Sequence, residues 1–407
     1  MESVTEYDFM LSKFLLNVMK QTVKVTGNLG FCPIKIDTVQ GKFTVDTWRW
    51  ARTFHNFLWL LCYATVVLPT HVHEVYRSGN GVQTFATNST VIYLLLAIIL
   101  GNISVLTLGI CTLNPLAVCQ VLNGLYKFIE TFPANYIISY NRREEQRKMK
   151  LLEFIITTST ISILSLAILI TLHCFSYPTS SAYPAFRAQA PSQFVSVIVY
   201  LLSSTWFSVS GFSFAVVGNL LVINAQFYFF YAFPLIRNEL RRGRPQYKTI
   251  DTLREPDHLV LNYRAFQILS GAINSDICVI LIPTQAFIIA AILVSNVSLA
   301  FQWELFTITT KIFLITVSVV FLVGWSAFLW VAGQQFRESK KTVASWKLGG
   351  WAKKFDRMYM KRVMRACQPI YFGDGKRFVV NPTKILLFIN SVNRNTFKAF
   401  AMFRKIF

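Results

Sequence analysis

An all-α, polytopic membrane protein with seven membrane-crossing helices, its N-terminus cytoplasmic and its C-terminus extracellular, is the architecture this sequence predicts. Three observations carry it. Hydrophobic residues make up 54% of the 407 residues and charged residues only 14%, where a soluble domain is about one-quarter charged. Six runs contain no Lys, Arg, Asp or Glu, namely 53–73, 91–113, 154–175, 194–217, 277–297 and 312–332, and each has about the 20 residues a bilayer crossing needs. The basic residues, finally, collect on one side of these runs.

With the N-terminus inside, the cytoplasmic segments 1–50, 115–150, 237–271 and 333–376 hold 6, 6, 7 and 11 Lys and Arg, 30 of the chain's 40. That is the positive-inside asymmetry. Arg77 and Arg187 stand in outer loops, and Lys311 sits at the outer end of the sixth span, where it can snorkel. The formal net charge of +21 therefore reads as cytoplasmic loop charge and not as a nucleic-acid footprint. The first residues carry Glu2, Glu6 and Asp8 and lack a basic stretch followed by an apolar one, so the first span is expected to direct its own insertion. Two glycosylation sequons, at Asn88 and Asn296, fall on the outer side.

Two spans need argument. No charge occurs from 188 to 236, and 226–233 is strongly aromatic. Two helices joined by a tight turn would put the basic segment 237–271 opposite every other basic loop. One helix over 194–236, roughly 60 Å long at 1.5 Å per residue, keeps it with them and is preferred. The seventh span, 383–403, carries Lys384, Arg394, Lys398 and several Asn. Asn381 suits an N-cap and Pro382 the first helical position, after a tight turn at Gly373-Asp374-Gly375. A helix this polar needs protein or water beside it, not lipid. Leu386, Ile389, Asn390, Asn393 and Phe397 recur at spacings of three and four and share one face. The chain thus divides into a cytoplasmic segment 1–50, helices one to six over 51–332, a cytoplasmic segment 333–376, and the last helix with the C-terminus, 377–407.

Other classes fit poorly. The seven cysteines, Cys32, Cys62, Cys111, Cys119, Cys174, Cys278 and Cys367, include no CxxC pair and form neither a disulfide framework nor a zinc site. No cofactor is expected. HExxH, GxSxG, phosphate-loop and dinucleotide fingerprints are missing, so an enzyme is not expected. Asp356-Arg357-Met358 and Asn381-Pro382-Thr383-Lys384-Ile385 look like G-protein-coupled receptor motifs, but they stand after the sixth span and at the start of the seventh. The inside N-terminus also argues against that class. A secondary transporter is the alternative function. Transporters usually show repeated halves, and neither a repeat nor an even span count is found.

Seven helices, an inside N-terminus, this length and a short polar last helix together resemble the insect-type odorant and gustatory receptors. That family's long fourth helix looks like 194–236, and its small-residue approach to the fifth span looks like 261–275. Its Ser, Trp, basic pair, Pro and Gly after the sixth span are similar to Ser339 or Ser345, Trp346 or Trp351, Lys361-Arg362, Pro369 and Gly375. Phe378, Thr383 and Ser391 fit its last helix. The gustatory Thr-Tyr-five apolar-Gln-Phe motif is one residue short at 396–403 and lacks the Gln, which leaves the branch open.

The resemblance implies a ligand-gated, non-selective cation channel of the plasma membrane. It would be built as a homo- or heterotetramer, with a co-receptor in the odorant branch and no G protein. The last helix would line the pore, with apolar side chains dewetting a closed gate and Asn hydrating an ion. The same residues would otherwise pack a monomer core. Arg394 and Lys398 sit uneasily in a cation pore unless they snorkel or pair between subunits. The aromatic stretches 226–233 and 336–371 would join subunits in a cytoplasmic anchor, or otherwise rest on the membrane surface. Ligand positions in the outer half would be Tyr93, Thr171, Phe175, Tyr200, Ser204 and Phe306, suiting a small, mostly apolar odorant or tastant with one polar group.

Overall fold

The computed structural model describes residues 21–67 apart from 22, 29 and 38–40, then 69–70, 72–73, 77, 89–136, 233–348, 351, 353–373, 375, 378–404 and a few positions between 147 and 168. These are mostly helical. Three stretches among them, Leu95–Leu113, Ile280–Phe301 and Ile308–Ser345, are long and apolar enough to cross a membrane, and they coincide with the second, fifth and sixth predicted runs. Most of the third run, and the fourth up to residue 232, lie outside the described residues.

A small hairpin, which the all-α expectation did not foresee, precedes the first helix. Strands β1 (Ile34–Ile36) and β2 (Phe43–Val45) pair antiparallel with Ile34 opposite Val45 and Ile36 opposite Phe43. Strands this short do not hold alone. The Asn123 side chain closes the open edge of β2, accepting the Phe43 N–H at 2.8 Å and donating to the Phe43 carbonyl at 2.9 Å.

Helix α1 (Thr47–Cys62) begins earlier than its apolar run because Asp46 caps it, accepting the N–H groups of Trp48 and Arg49. The Arg49 N–H above all holds the Asp46 carboxyl below its ordinary range. The helix widens to a π turn over Tyr63–Val67, where α2 (Ser89–Leu113) comes close: a Cβ on Gly101 would lie 3.2 Å from that of Ala64. Helix α3 (Pro115–Tyr136) follows after Asn114, which bonds into both helices, so helical hydrogen bonding carries on from the second predicted span into the predicted cytoplasmic segment. Pro at the first position has no N–H to waste there.

Helix α4 (Phe233–Asn238) covers the last residues of the range predicted for a long fourth helix and two beyond it; the rest of that range lies outside the described residues. Helix α5 (Pro256–Phe301) has 46 residues and starts well before its apolar run. Its stretch from 256 to 273 is amphipathic, burying Leu259, Tyr263, Phe266 and Ile273 while Leu261 and Ile268 stay exposed. Helix α6 (Ile308–Ser345) likewise outruns its apolar part and carries Arg337, Glu338, Lys340 and Lys341 beyond it. Helices α7 (Lys354–Ala366) and α8 (Lys384–Phe403) complete the chain. The main core runs from the hairpin, α2 and α3 along both halves of α5 and α6 to α7 and α8, with Trp346, Tyr263, Phe132, Phe266 and Phe388 fully enclosed.

The start of α8 differs from the expected cap. Asn381 accepts the Lys384 N–H through its main-chain carbonyl at 3.0 Å, and its side chain takes the Thr383 hydroxyl at 2.6 Å. Residues 381–383 form a turn and the helix opens at Lys384, because the Asn381 side chain is already engaged by Thr383.

Candidate functional site: the last helix and its anchor

The segment leading to α8 is held from both sides. Tyr263 Oη and Gln267 Nε2 both donate to the Gln368 carbonyl at 3.0 Å. Ser339 Oγ accepts the Ile370 N–H at 3.0 Å and meets the Ile370 carbonyl at 3.1 Å. Asn274 donates to the Tyr371 carbonyl at 2.6 Å and accepts the Gly373 N–H at 3.2 Å. Helices α5 and α6 thus grip an irregular strand whose backbone groups would otherwise be buried unpaired. The chain then turns through Gly373 and Gly375, with φ of 126° and 75°, and returns so that the Val380 N–H donates to the Phe372 carbonyl at 2.8 Å. The expected glycine turn is therefore present.

Below this grip lies a layer of indoles. Trp346 donates to the Leu240 carbonyl at 2.9 Å and meets Tyr263 edge-on at 5.1 Å. Trp351 donates to the Trp346 carbonyl at 3.1 Å, and the Arg242 guanidinium lies 3.9 Å over its ring. Ser345 accepts the Arg242 N–H at 3.0 Å. Both serines and both tryptophans that the sequence offered as alternatives are engaged here. Glu338 gathers the charge: its carboxylate is 3.0 Å from Lys341, 3.3 Å from Arg337, 3.6 Å from Arg241 and 3.9 Å from Arg237. Burial alone would raise its pKa, but the Lys341 hydrogen bond and the surrounding cations outweigh burial and hold it below the ordinary value of 4.5.

Helix α8 packs on α5 and α6 through Phe388 and Val392, which are 1% and 5% exposed. Phe400 meets Phe301 edge-on at 5.7 Å. The five residues expected on a shared face, Leu386, Ile389, Asn390, Asn393 and Phe397, are all exposed. At about 100° per residue that face is centred opposite the Phe388–Val392 seam. Leu386 and Phe397 stay 67% and 71% accessible, far from what a core position of one chain would show.

The outer-half positions are placed only in part. Thr171, Phe175, Tyr200 and Ser204 lie outside the described residues, as does Asn88, and Tyr93 is described only as a position in α2. Phe306 stands at the α5–α6 turn and is 5% exposed. Lys311 lies 4.4 Å over the Trp303 ring, a tie the snorkelling expectation did not include. Asn296 lies within α5 and accepts a hydrogen bond from Ser318 of α6 at 2.7 Å.

Sequence reasoning passed over Glu338, Asn274 and Gly333. Glu338 did leave a signal, as the lone acid between 333 and 355, a stretch with six Lys and Arg.

The whole arrangement has solved counterparts. The insect olfactory receptor OR5 from Machilis hrabei in complex with eugenol superposes with a TM-score of 0.65, covering 97% of this chain and 99% of that one at 11% identity. The same receptor, in a second structure, superposes with a TM-score of 0.59, covering 98% and 100% at 12% identity. The chain has the fold of the insect olfactory receptors. No protein-family model and no curated protein matches it. At this identity the olfactory-receptor fold is shared although few side chains are.

Proposed function

We propose that the protein is a chemosensory receptor acting as a ligand-gated ion channel. Four chains would surround one pore lined by α8, in a plasma membrane crossed seven times, with the N-terminus cytoplasmic and the C-terminus outside. The observation that carries this is the exposed face of α8. Lipid satisfies no Asn side chain, and the opposite face is already committed to α5 and α6. Around a fourfold axis, Leu386, Ile389 and Phe397 supply an apolar constriction and Asn390 and Asn393 hydrate an ion. The exposed Leu261, Ile268 and Phe355 of the polar-ended half suit contact between subunits there.

The OR5 structure with eugenol supports a small, mostly apolar ligand with one polar group, held in the outer half near Tyr93, Thr171, Phe175, Tyr200, Ser204 and Phe306. The test is single-channel recording after expression alone and with an odorant co-receptor, using eugenol and panels of volatiles, sugars and bitter compounds. Unitary currents altered by Asn393→Ala are expected. Currents that need the co-receptor place the chain in the odorant branch as a heteromer. Saturable exchange flux without unitary currents would replace the channel with a transporter.

A further inference from the structure

Just past α4 the chain holds a guanidinium that nothing answers. Its neighbouring arginines are all engaged. Arg237 and Arg241 share Glu338, and Arg244 donates to Asn238 at 2.7 Å. Arg254 donates to the Thr249 hydroxyl and carbonyl, both at 3.1 Å, and pairs with Asp251. Arg242 is the exception. Its main-chain N–H meets Ser345, but among the described residues its guanidinium has neither an acceptor nor a carboxylate, and Nη1 is enclosed without a partner. The residue is not closed off, since part of it stays exposed.

Two guanidiniums are held together here by stacking and not by a shared anion. Arg242 lies 3.9 Å over the Trp351 ring and Arg254 4.0 Å over the Tyr247 ring. Burial, joined by the nearby charge of Arg254, lowers the Arg242 pKa. From 237 to 254 the chain has six cations and two acids, and both acids are committed elsewhere. Glu239 accepts the Lys248 N–H at 3.1 Å and the Thr249 hydroxyl at 2.9 Å, while Asp251 is on Arg254. An indole face attracts a guanidinium, but it accepts none of the five N–H groups. A cation partly taken from water beside another cation is costly until a counter-charge arrives. The fork of a guanidinium fits the oxygens of a phosphate, and a dianion answers two such forks. Lys347 and Lys353, both exposed, flank Trp351 in the chain.

We infer that Arg242 and Arg254, beside Trp351 and Tyr247, form a binding site for a phosphate group of a soluble, polyphosphorylated small molecule. The source is soluble because of where the site stands. Ser345, which accepts the Arg242 N–H, lies about 20 Å along α6 beyond Ala332, the end of the apolar run, at 1.5 Å per residue. The headgroup layer of a leaflet is only about 5–7 Å deep, so a phospholipid held in the bilayer falls short. The site also adjoins the hold on α8: Trp351 donates to the Trp346 carbonyl, and Trp346 meets Tyr263, which donates to the Gln368 carbonyl. The inference goes beyond the channel reading, and its readout needs no current.

The test is titration calorimetry on the full-length protein in nanodiscs of neutral lipid at physiological salt. Inositol hexakisphosphate and inorganic phosphate are the probes, and sulfate is the control for a general salt effect. One site per chain is expected, filled by either phosphate probe and not by sulfate. Arg242→Gln should weaken inositol hexakisphosphate binding about tenfold or more. Arg242→Lys, which keeps the charge and loses the fork, should weaken it less and guards against a misfolded Gln variant. Lys340→Gln, an equal loss of charge at an exposed position of α6, should leave it within about twofold. Equal losses at Arg242 and Lys340 would mean diffuse attraction to a basic surface and overturn the inference. Binding that appears only with phosphoinositide in the nanodisc overturns the soluble source. No binding, with Arg242→Gln instead splitting the assembly on size exclusion, assigns the guanidinium to a carboxylate of a second copy and overturns the site.

Discussion

Gly333 of α6 lies directly against Pro382 at the foot of the last helix: a Cβ on Gly333 would stand 2.8 Å from Pro382 N and from the Asn381 carbonyl carbon, and 2.9 Å from Pro382 Cα. Those are backbone atoms, which cannot swing aside. Pro382 has no N–H to keep paired, so the two elements touch without an orphaned donor. Helix α8 therefore rests on the first residue of α6 beyond the apolar run, and a shift of α6 moves the foot of α8.

Gly333→Ala is expected to destabilise the folded protein by about 2 kcal/mol, the cost of overpacking a tight contact, and to displace α8. Gly324→Ala on the same helix, where an added Cβ meets nothing within 4 Å, is the control and should be neutral or slightly stabilising. Thermal unfolding of detergent-purified protein, read by tryptophan fluorescence, separates the two.

Much of this was legible beforehand because the bilayer imposes strong rules. Apolar length placed the second, fifth and sixth helices, and the spacing of Leu386, Asn390, Asn393 and Phe397 identified a face that the folded chain does leave open. What was not legible has a common physical origin. Extensions such as 256–276 and 333–345 are ordinary amphipathic helix, and hydropathy stops seeing a span once charges begin. The hairpin is three residues a side and depends on Asn123, distant in sequence. The Gly333–Pro382 contact is tertiary, and a helical glycine flanked by Ala332 and Gln334 gives no local sign of it.

Glu338 carries the next prediction. Its carboxylate is 6% exposed and faces four cations, three of them about half exposed. Glu338→Gln should cost about 2 kcal/mol, less than a fully buried pair because water already screens Arg237 and Lys341. The sign of the pH dependence follows from its lowered pKa. The contribution is present above the unfolded value of 4.5 and is lost as the pH falls through the folded value, so wild type and variant should converge only in acid. Unfolding midpoints measured from pH 7 to pH 3 give the comparison.

The grip on the approach to α8 is tested at Asn274. Its amide serves the Tyr371 carbonyl and the Gly373 N–H together, so Asn274→Ala leaves two backbone groups unpaired and should cost about 2 kcal/mol or more. Ser339→Ala removes the partner of the Ile370 N–H on the opposite wall and should cost about 1 kcal/mol. Both residues hold the same strand, so their effects should be non-additive. A double-mutant cycle on melting temperature checks this, and strict additivity would mean the strand is not clamped as one unit.

The last prediction sets the pore face apart from the core. Trp346 is fully enclosed and donates to the Leu240 carbonyl, so Trp346→Ala should cost about 3–5 kcal/mol and abolish assembly. Leu386 and Phe397 are about as apolar, yet a single chain leaves both largely accessible. If they faced lipid or packed only within one chain, truncating them would leave conduction alone. If they close a fourfold constriction, Leu386→Ala and Phe397→Ala should change subunit stability by less than about 0.5 kcal/mol and raise the unliganded open probability, because a wider, less apolar neck stays wet. Recording basal current beside the melting temperature of the same preparation distinguishes these cases. Silent channels with normal stability would count against α8 as the pore helix.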